Sequence, residues 1–443
     1  MVKVITYGTY DVLHYGHIRL LERAKALGDY LIVGVTADDF DKTRGKINVQ
    51  QSLVERIEAI RATGIADEII VEEYEGQKID DIKRYGIDIF TVGSDWEGKF
   101  DYLNEYCKVV YLPRTEGISS SEIREQKRTQ RLGLVGETEF LQKVASESEY
   151  VNGLHVDSVY SDNVELIPDS LRHLQIVDNY ETFLSSVDAV YIRSYPDRHY
   201  KHIKQALERK RHVLCESPIV LDPEQCKELY SLAKKNNCIL MEAMKTAYST
   251  AFSRLILLAK SGRIGRIISV DATCTSLKDF DSGFYPIWSS ICDWGPTSML
   301  PVFQLLGCQY KSKLITTYLL DSELKFDAFS KIDFVFENGV GSIKVGKGVK
   351  SEGELVVSGT KGYIYVPAPW WKTDYFEIRY ENPADNKRYF YQLDGEGIRY
   401  ELVAFLRAIE NRKNPYLIDP EISITISGIM KDFFNGEMVY KIE

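Results

Sequence analysis

Gly8-Thr9-Tyr10-Asp11-Val12-Leu13-His14-Tyr15-Gly16-His17 joins an apolar run at residues 4–7 to an amphipathic run at 16–26. The first run reads as a strand. The second has helical period in Ile18, Leu20, Leu21 and Ala24. The ten residues between them are therefore a strand-to-helix turn, and the turn is unusual in composition. His14 and His17 stand three apart, so both face one point where the loop enters the helix. Gly16 has no side chain to obstruct a phosphate there, and a helix start offers free N–H groups and a positive dipole end. Two imidazoles over a triphosphate would stabilise charge as pyrophosphate departs. An isolated H-x-x-H more often holds one structural and one exposed histidine; the preceding strand and the Gly-Thr-Tyr-Asp lead-in favour the phosphate reading.

Outward from this turn the pattern alternates. Strands are predicted at 30–36, 68–71, 87–92 and 109–112, with helices at 54–62, 78–84 and 119–126. Strands separated by helices imply a parallel sheet whose ligands bind at the carboxyl ends of the strands. Near the end of this region Arg114 offers a planar fork of donors, and Ser119, Ser120 and Ser121 open a helix. Read singly, they are a surface charge and an N-cap; opposite a second anion-binding helix start they suit phosphate. Lys42-Thr43-Arg44-Gly45-Lys46 is basic, but such a charge run is more often a solvated loop. Trp96 reads either as core or as a ligand contact beside Asp95. The polar stretch 125–131 is a linker candidate. Beyond it a second alternation has strands at 132–135, 156–160, 174–177, 189–193, 212–215 and 238–242. From about residue 264 period-2 runs at 267–272, 331–336, 342–345, 355–358 and 363–366 predict an antiparallel sheet, and helices at 400–409 and 421–433 close the chain.

The 443 residues are too many for one ordinary core. The expected fold is α/β: a Rossmann-like parallel-sheet domain at 1–128, a second at 129–245, and an α+β antiparallel-sheet domain at 246–443. A formal net charge of −10 argues against nucleic acid and anionic membrane as partners. Seven cysteines without C-x-x-C spacing suit a reducing compartment, and no apolar run nears the roughly 20 residues that span a bilayer. A cytoplasmic chain is expected.

The first 127 residues resemble the H-x-G-H nucleotidyltransferase superfamily, and within it the glycerol-3-phosphate cytidylyltransferases. The resemblance runs from the histidine turn through Gly28-Asp29-Tyr30-Leu31-Ile32-Val33-Gly34-Val35 and Gly93-Ser94-Asp95-Trp96-Glu97-Gly98-Lys99-Phe100. It ends in Tyr111-Leu112-Pro113-Arg114-Thr115-Glu116-Gly117-Ile118-Ser119-Ser120-Ser121. It implies joining of CTP to glycerol 3-phosphate, with Mg²⁺ on the triphosphate, for a capsule or teichoic-type polymer. His14, His17, Lys46 and Arg114 are the implied catalytic residues. Gly8, Thr9, Tyr10, Gly16, Thr115, Glu116, Gly117, Ile118 and Ser119–Ser121 join them around the nucleotide. Asp11, Arg44, Lys78, Asp95 and Trp96 are the implied contacts of the acceptor. No protein-held metal site is implied. One departure bears on the acceptor: relatives have an arginine where this chain reads Gly64-Ile65-Ala66-Asp67, and Arg61 lies three residues earlier.

Residues 131–443 resemble the glucose–fructose oxidoreductase and inositol dehydrogenase family. The resemblance rests on Val190-Tyr191-Ile192-Arg193, His212-Val213-Leu214-Cys215-Glu216-Ser217-Pro218, Met241-Glu242-Ala243-Met244, Gly262-Arg263-Ile264-Gly265 and Gly359-Thr360-Lys361-Gly362. It implies NAD(P), yet the chemistry is missing. Ser217 stands where the family has lysine, Thr297 where it has the acid–base histidine, and Leu300 where it has an aspartate. Gly136-Glu137-Thr138-Glu139-Phe140-Leu141 keeps one glycine of G-x-G-x-x-G, and its glutamates oppose a pyrophosphate. An oligomerisation or regulatory module is expected, with a rewired reductase using Lys245 and Tyr248 as the alternative. Relatives of both halves self-associate, so a homo-oligomer is expected. A nucleotide or sugar-phosphate sensor without catalysis is the competing function for the whole chain.

Overall fold

A computed structural model describes the chain apart from residues 12, 38–48, 50, 75, 114–129, 152, 278–287, 392, 412–417 and 443, and the side chain of residue 411. The chain divides into two compact units, Met1–Thr129 and Gln130–Glu443. The predicted helix at 119–126 lies outside the described residues, as do Arg44, Lys46 and Arg114–Ser121.

The first unit is one parallel sheet with helices on both faces. Its strands are β1 (Lys3–Gly8), β2 (Tyr30–Thr36), β3 (Glu68–Glu72), β4 (Ile89–Gly93) and β5 (Lys108–Leu112), in the order β3-β2-β1-β4-β5. Alternation along β1 makes two cores. Val4 packs with Leu21, Leu31, Val33 and Ile60 on one face. Ile5 packs with Ile32, Ile82, Phe90 and Leu103 on the other. The Tyr15–Lys25 and Leu53–Thr63 helices cover the first face, and the Gln77–Tyr85 helix covers the second. A capping box between Ser52 and Glu55 starts the second helix, and Gly64 ends it in the left-handed region at φ +67°. Strand order reverses between β1 and β4, which opens a crevice outside their carboxyl ends.

The second unit begins with another parallel sheet. Its strands are β6 (Gln130–Gly136), β7 (Leu154–Tyr160), β8 (Gln175–Val177), β9 (Ala189–Arg193), β10 (His212–Glu216) and β11 (Leu240–Ala243), in the order β11-β10-β9-β6-β7-β8. β6 starts at Gln130, so the last two residues of the expected linker are strand. They are drawn in by the Arg131 ion pair with Asp188 and by pairing with β7.

Nine strands follow: β12 (Ile267–Thr275), β13 (Ser312–Asp321), β14 (Phe326–Val335), β15 (Val340–Gly346), β16 (Leu355–Gly359), β17 (Tyr363–Val366), β18 (Tyr375–Arg379), β19 (Lys387–Phe390) and β20 (Val439–Ile442). Their order is β19-β18-β17-β16-β12-β15-β14-β13-β20. The expected antiparallel pairing holds for six neighbours, β16 on β12 and β14 on β15 among them; β12 with β15 and β13 with β20 run parallel. The Ser290–Leu306 helix lies on this sheet so closely that a Cβ at Gly341 would stand 2.5 Å from Val302.

Candidate active site

β1 ends at Gly8, and the chain turns back over itself there. A Cβ at Gly8 would meet the Tyr10 ring at 3.0 Å, so glycine makes room for the aromatic. Tyr10 takes φ +53°, a left-handed conformation uncommon outside glycine, and is buried. Its ring stands edge-on to His17 at 5.6 Å, which sets the imidazole's position from below. His14 is the N-cap of the Tyr15–Lys25 helix: its backbone is extended and its Nδ1 accepts the Gly16 N–H at 3.0 Å. That bond leaves the proton of the neutral ring on Nε2. The His14 and His17 rings stack at 3.8 Å, so the two imidazoles present one donor surface at the helix start.

The turn is braced from behind. Arg56, fully buried on the Leu53–Thr63 helix, donates to the carbonyls of Thr9 (2.7 Å), Thr36 (2.9 Å) and Gln51 (3.2 Å). Asp11, also buried, accepts the Gln51 N–H at 2.9 Å. One guanidinium therefore ties together the exits of β1 and β2 and the start of the helix. Sequence reading passed over Arg56. The available signal was its position four before Ile60, on the apolar face of an amphipathic helix. Arg56→Leu is expected to destabilise the first unit by about 3 kcal/mol or more, because three buried carbonyls lose their donor; thermal unfolding of the full-length chain measures it.

Gly8, Thr9, Tyr10, Asp11, His14, Gly16 and His17 are thus brought into one turn. Asp95 and Trp96 follow β4, the neighbour of β1, on the same sheet edge. Asp95 is exposed, whereas Trp96 is half-buried against Phe100 at 5.8 Å. Lys78 sits on the same edge, buried, with its ammonium on the Glu72 carboxylate and 4.7 Å from the Tyr7 ring. Tyr7 donates to Asp81 at 2.8 Å, and burial followed by the Asp81 charge pushes its pKa far up. Arg61 lies elsewhere. It closes an ion pair with Glu58 on the last turn of its helix, at the amino edge of the sheet and opposite the histidines. Among the described residues no three His, Cys, Asp or Glu side chains converge as a metal site. The donors present suit triphosphate oxygens, so a Mg²⁺ ion would arrive bound to the nucleotide.

In the second unit the inherited positions are occupied by the protein itself. Gly136 has φ +133°, and a Cβ there would meet the Arg193 carbonyl at 2.3 Å. Glu137 is buried, accepts the Ser161 hydroxyl at 3.1 Å and pairs with Arg198 at 3.4 Å. Glu139 accepts the Ser170 hydroxyl at 2.8 Å. The Arg193 guanidinium lies between the rings of Phe140 (4.5 Å) and Trp288 (4.6 Å) and pairs with Glu216 and Asp293. Asp293 also pairs with Lys347 at 2.6 Å. Ser217 donates to Glu242, and Leu300 is in the core. Tyr248 is buried and donates to the Glu242 carbonyl, and burial raises its pKa far above that of a free phenol. A carboxylate with its arginine partner thus stands at the Gly136 turn, where the family places a pyrophosphate, and the Arg193 guanidinium lies over Phe140.

A parallel five-stranded sheet with an H-x-G-H helix start at its switch point defines a nucleotidyltransferase. The chain belongs to the cytidylyltransferase-like family, whose model matches residues 5–126. It is 51% identical over 125 residues to the glycerol-3-phosphate cytidylyltransferase of Bacillus spizizenii, covering 28% of this chain and 96% of that protein. The Staphylococcus aureus glycerol-3-phosphate cytidylyltransferase is 47% identical over 130 residues, which are 28% of this chain and 95% of that one. Residues 131–244 match the oxidoreductase family with an NAD-binding Rossmann fold. A 3-ketoreductase from Actinomadura kijaniata, solved with NADP and TDP-benzene, superposes with a TM-score of 0.62. It is 16% identical and covers 71% of this chain and all of its own. At that identity the likeness is one of fold. Among the described residues no helix is long and apolar enough to cross a membrane.

Proposed function

We propose that the first unit transfers a cytidylyl group from CTP to glycerol 3-phosphate, releasing pyrophosphate and giving CDP-glycerol for a surface polymer. The observation that carries this reading is the stacked His14–His17 pair at a helix start, with His14 Nδ1 accepting the Gly16 N–H. The near-full-length similarity to two glycerol-3-phosphate cytidylyltransferases supports the acceptor. An oxygen of the acceptor phosphate attacks the α-phosphorus of CTP in line, and the bond to the β-phosphate oxygen breaks. The nucleophile is already an anion, so no general base is required; catalysis is positioning and charge stabilisation. His14, His17 and the helix start at Gly16 are assigned to the triphosphate, with Lys46, Arg114 and the 119–121 serines assigned beside them from the family likeness. Arg44, Lys78, Asp95 and Trp96 are assigned to the acceptor side. Mg²⁺ supplies charge neutralisation on the triphosphate.

Pyrophosphate release tests the reading. CTP with sn-glycerol 3-phosphate is expected to support it and ATP is not. Release with neither would favour a sensor. A second acceptor reading rests on Arg61, which stands at the far edge of the sheet where relatives carry an arginine at 64. An ethanolamine-phosphate cytidylyltransferase from Dictyostelium discoideum is 29% identical over 188 residues. Competition between glycerol, ribitol and ethanolamine phosphates for one limiting pool of CTP separates these. We further propose that residues 129–245 and 246–443 form a non-redox module in a homo-oligomer of the cytoplasm. Removal of residues 130–443 is then expected to leave measurable cytidylyl transfer, whereas complete loss would tie catalysis to the second unit.

A further inference from the structure

At the carboxyl edge of the six-stranded sheet, three lysines from separate segments converge on one carboxylate. Lys143 in the Phe140–Ser148 helix reaches Glu396 at 3.2 Å, Lys245 just after β11 at 3.1 Å, and Lys372 at 2.9 Å. Burial pushes the Glu396 carboxyl up, but the hydrogen bonds from Lys372 and Lys245 prevail and hold its pKa at about 2. Three ammonium groups against one carboxylate leave a local excess of positive charge. The other carboxylates nearby are committed: Glu147 to Arg399 at 2.8 Å, Glu216 to Arg193, and Asp293 to Lys347 and Arg193. Glu401, which also feels Lys245, accepts the Tyr191 hydroxyl at 3.1 Å, and burial and the Glu216 charge push its pKa far up, towards the neutral form. Lys245 also lies 5.4 Å from the Phe140 ring, which the Arg193 guanidinium meets at 4.5 Å.

The backbone that delivers Glu396 is unusual. Gly395, Glu396 and Gly397 are all left-handed, at φ +55°, +54° and +93°. Two of the three are glycines, for which this is ordinary; a glutamate rarely adopts it. Gly395 is pressed against helix 140–148, since a Cβ there would overlap the Glu147 carboxylate. The chain thus holds an acidic residue in an uncommon conformation, and its carboxylate lands on three converging donors. Glu396 has the position and charge of a bound anion.

We propose that Lys143, Lys245 and Lys372 form a binding site for a small molecule bearing a phosphomonoester, and that Glu396 occupies it when the ligand is absent. A phosphomonoester dianion offers three acceptor oxygens to donors arriving from three segments, where a carboxylate offers two. It also brings twice the charge of the carboxylate it displaces, against the same three ammonium groups. A dinucleotide is the poorer occupant, because its pyrophosphate belongs at the Gly136 turn, where Glu137 and Arg198 already pair. The site is independent of the cytidylyl chemistry of the first unit.

Lysine acetylation of the full-length protein, read residue by residue by mass spectrometry at constant ionic strength, tests this. Inorganic phosphate and glycerol 3-phosphate are the probes. Labelling of Lys143, Lys245 and Lys372 is expected to fall several-fold with either probe. Lys431, paired with Asp222 elsewhere in the unit, serves as the unchanged control. Stronger protection by glycerol 3-phosphate would add that the alcohol is contacted; equal protection would assign the site to the phosphate alone. Glu396→Gln removes the internal anion and is expected to raise phosphate affinity about tenfold. Lys372→Met, at a half-exposed position, is expected to weaken protection of the other two lysines. Equal labelling with and without phosphate in both wild type and Glu396→Gln would overturn the proposal. Protection of the three lysines by NADH, which carries a pyrophosphate and no phosphomonoester, at lower concentration than by phosphate would overturn it too. Pyrophosphate release measured on the same samples reports on the first unit separately and is expected to be unchanged by Glu396→Gln.

Discussion

His17→Ala is expected to lower pyrophosphate release from CTP by two to three orders of magnitude while leaving the fold of the first unit intact. The magnitude is that of removing one preorganised donor from a developing oxyanion, about 10²–10³ in turnover. His17 fits that role because its ring stacks on His14 at 3.8 Å and rests on the edge of Tyr10, so it is positioned before the nucleotide arrives. The fold should survive because the helix start keeps its cap: the bond from the Gly16 N–H runs to His14, not to His17. His17→Asn, which retains a donor near the same place, is expected to recover part of the loss. Steady-state turnover with CTP and glycerol 3-phosphate, together with thermal unfolding, distinguishes this from a packing role. Near-normal turnover of His17→Ala would remove His17 from the catalytic assignment.

Lys78→Met is expected to be the more damaging substitution for stability, at about 3–5 kcal/mol. Its ammonium pairs with Glu72, whose side chain is only 1% exposed. The Thr36 hydroxyl at 2.9 Å remains as a donor, but a hydroxyl does not neutralise a buried carboxylate. Lys78→Met with Glu72→Gln removes both charges and is expected to recover most of the stability. That double-mutant cycle separates a structural pair from an acceptor-binding lysine. If Lys78 also engages the acceptor phosphate, the stabilised double variant keeps a raised KM for glycerol 3-phosphate with little change in its KM for CTP. If the double variant is as unstable as the single one, the Lys78–Glu72 pair is not the source of the effect.

The elements that generate the first site were legible from local pattern. Residues 4–7 and 16–26 announce a strand and a helix by period, and H-x-G-H between them marks an anion-binding helix start; β1 and the Tyr15–Lys25 helix lie where that pattern puts them. The first strands of the second unit were visible for the same reason, since buried parallel strands are continuous apolar runs. The third sheet was read less completely. β13, β18 and the edge strands β19 and β20 were not anticipated, and neither were the two parallel pairings. Strand pairing over long separations is decided by which edges meet, and period-2 alternation carries no information on that. The Ser290–Leu306 helix contains Pro296 and Pro301, which argue locally against a helix; burial against the sheet outweighs them.

Residue types and short spacings alone put two histidines at a strand-to-helix turn of the first unit and a threonine and a leucine at 297 and 300 of the second. A threonine at 297 and a leucine at 300 cannot exchange protons near neutral pH in any fold. What the tertiary structure decided is how charges separated by tens or hundreds of residues settle one another. Arg56 braces Thr9 from 47 positions away, Arg198 neutralises Glu137 across 61, and Lys245 meets Glu396 across 151. Arg56, Arg198 and Glu396 read in the sequence as ordinary surface charges. Only the fold desolvates them, and a desolvated charge must have a partner, so their pairing is a property of the packed chain and not of any local pattern.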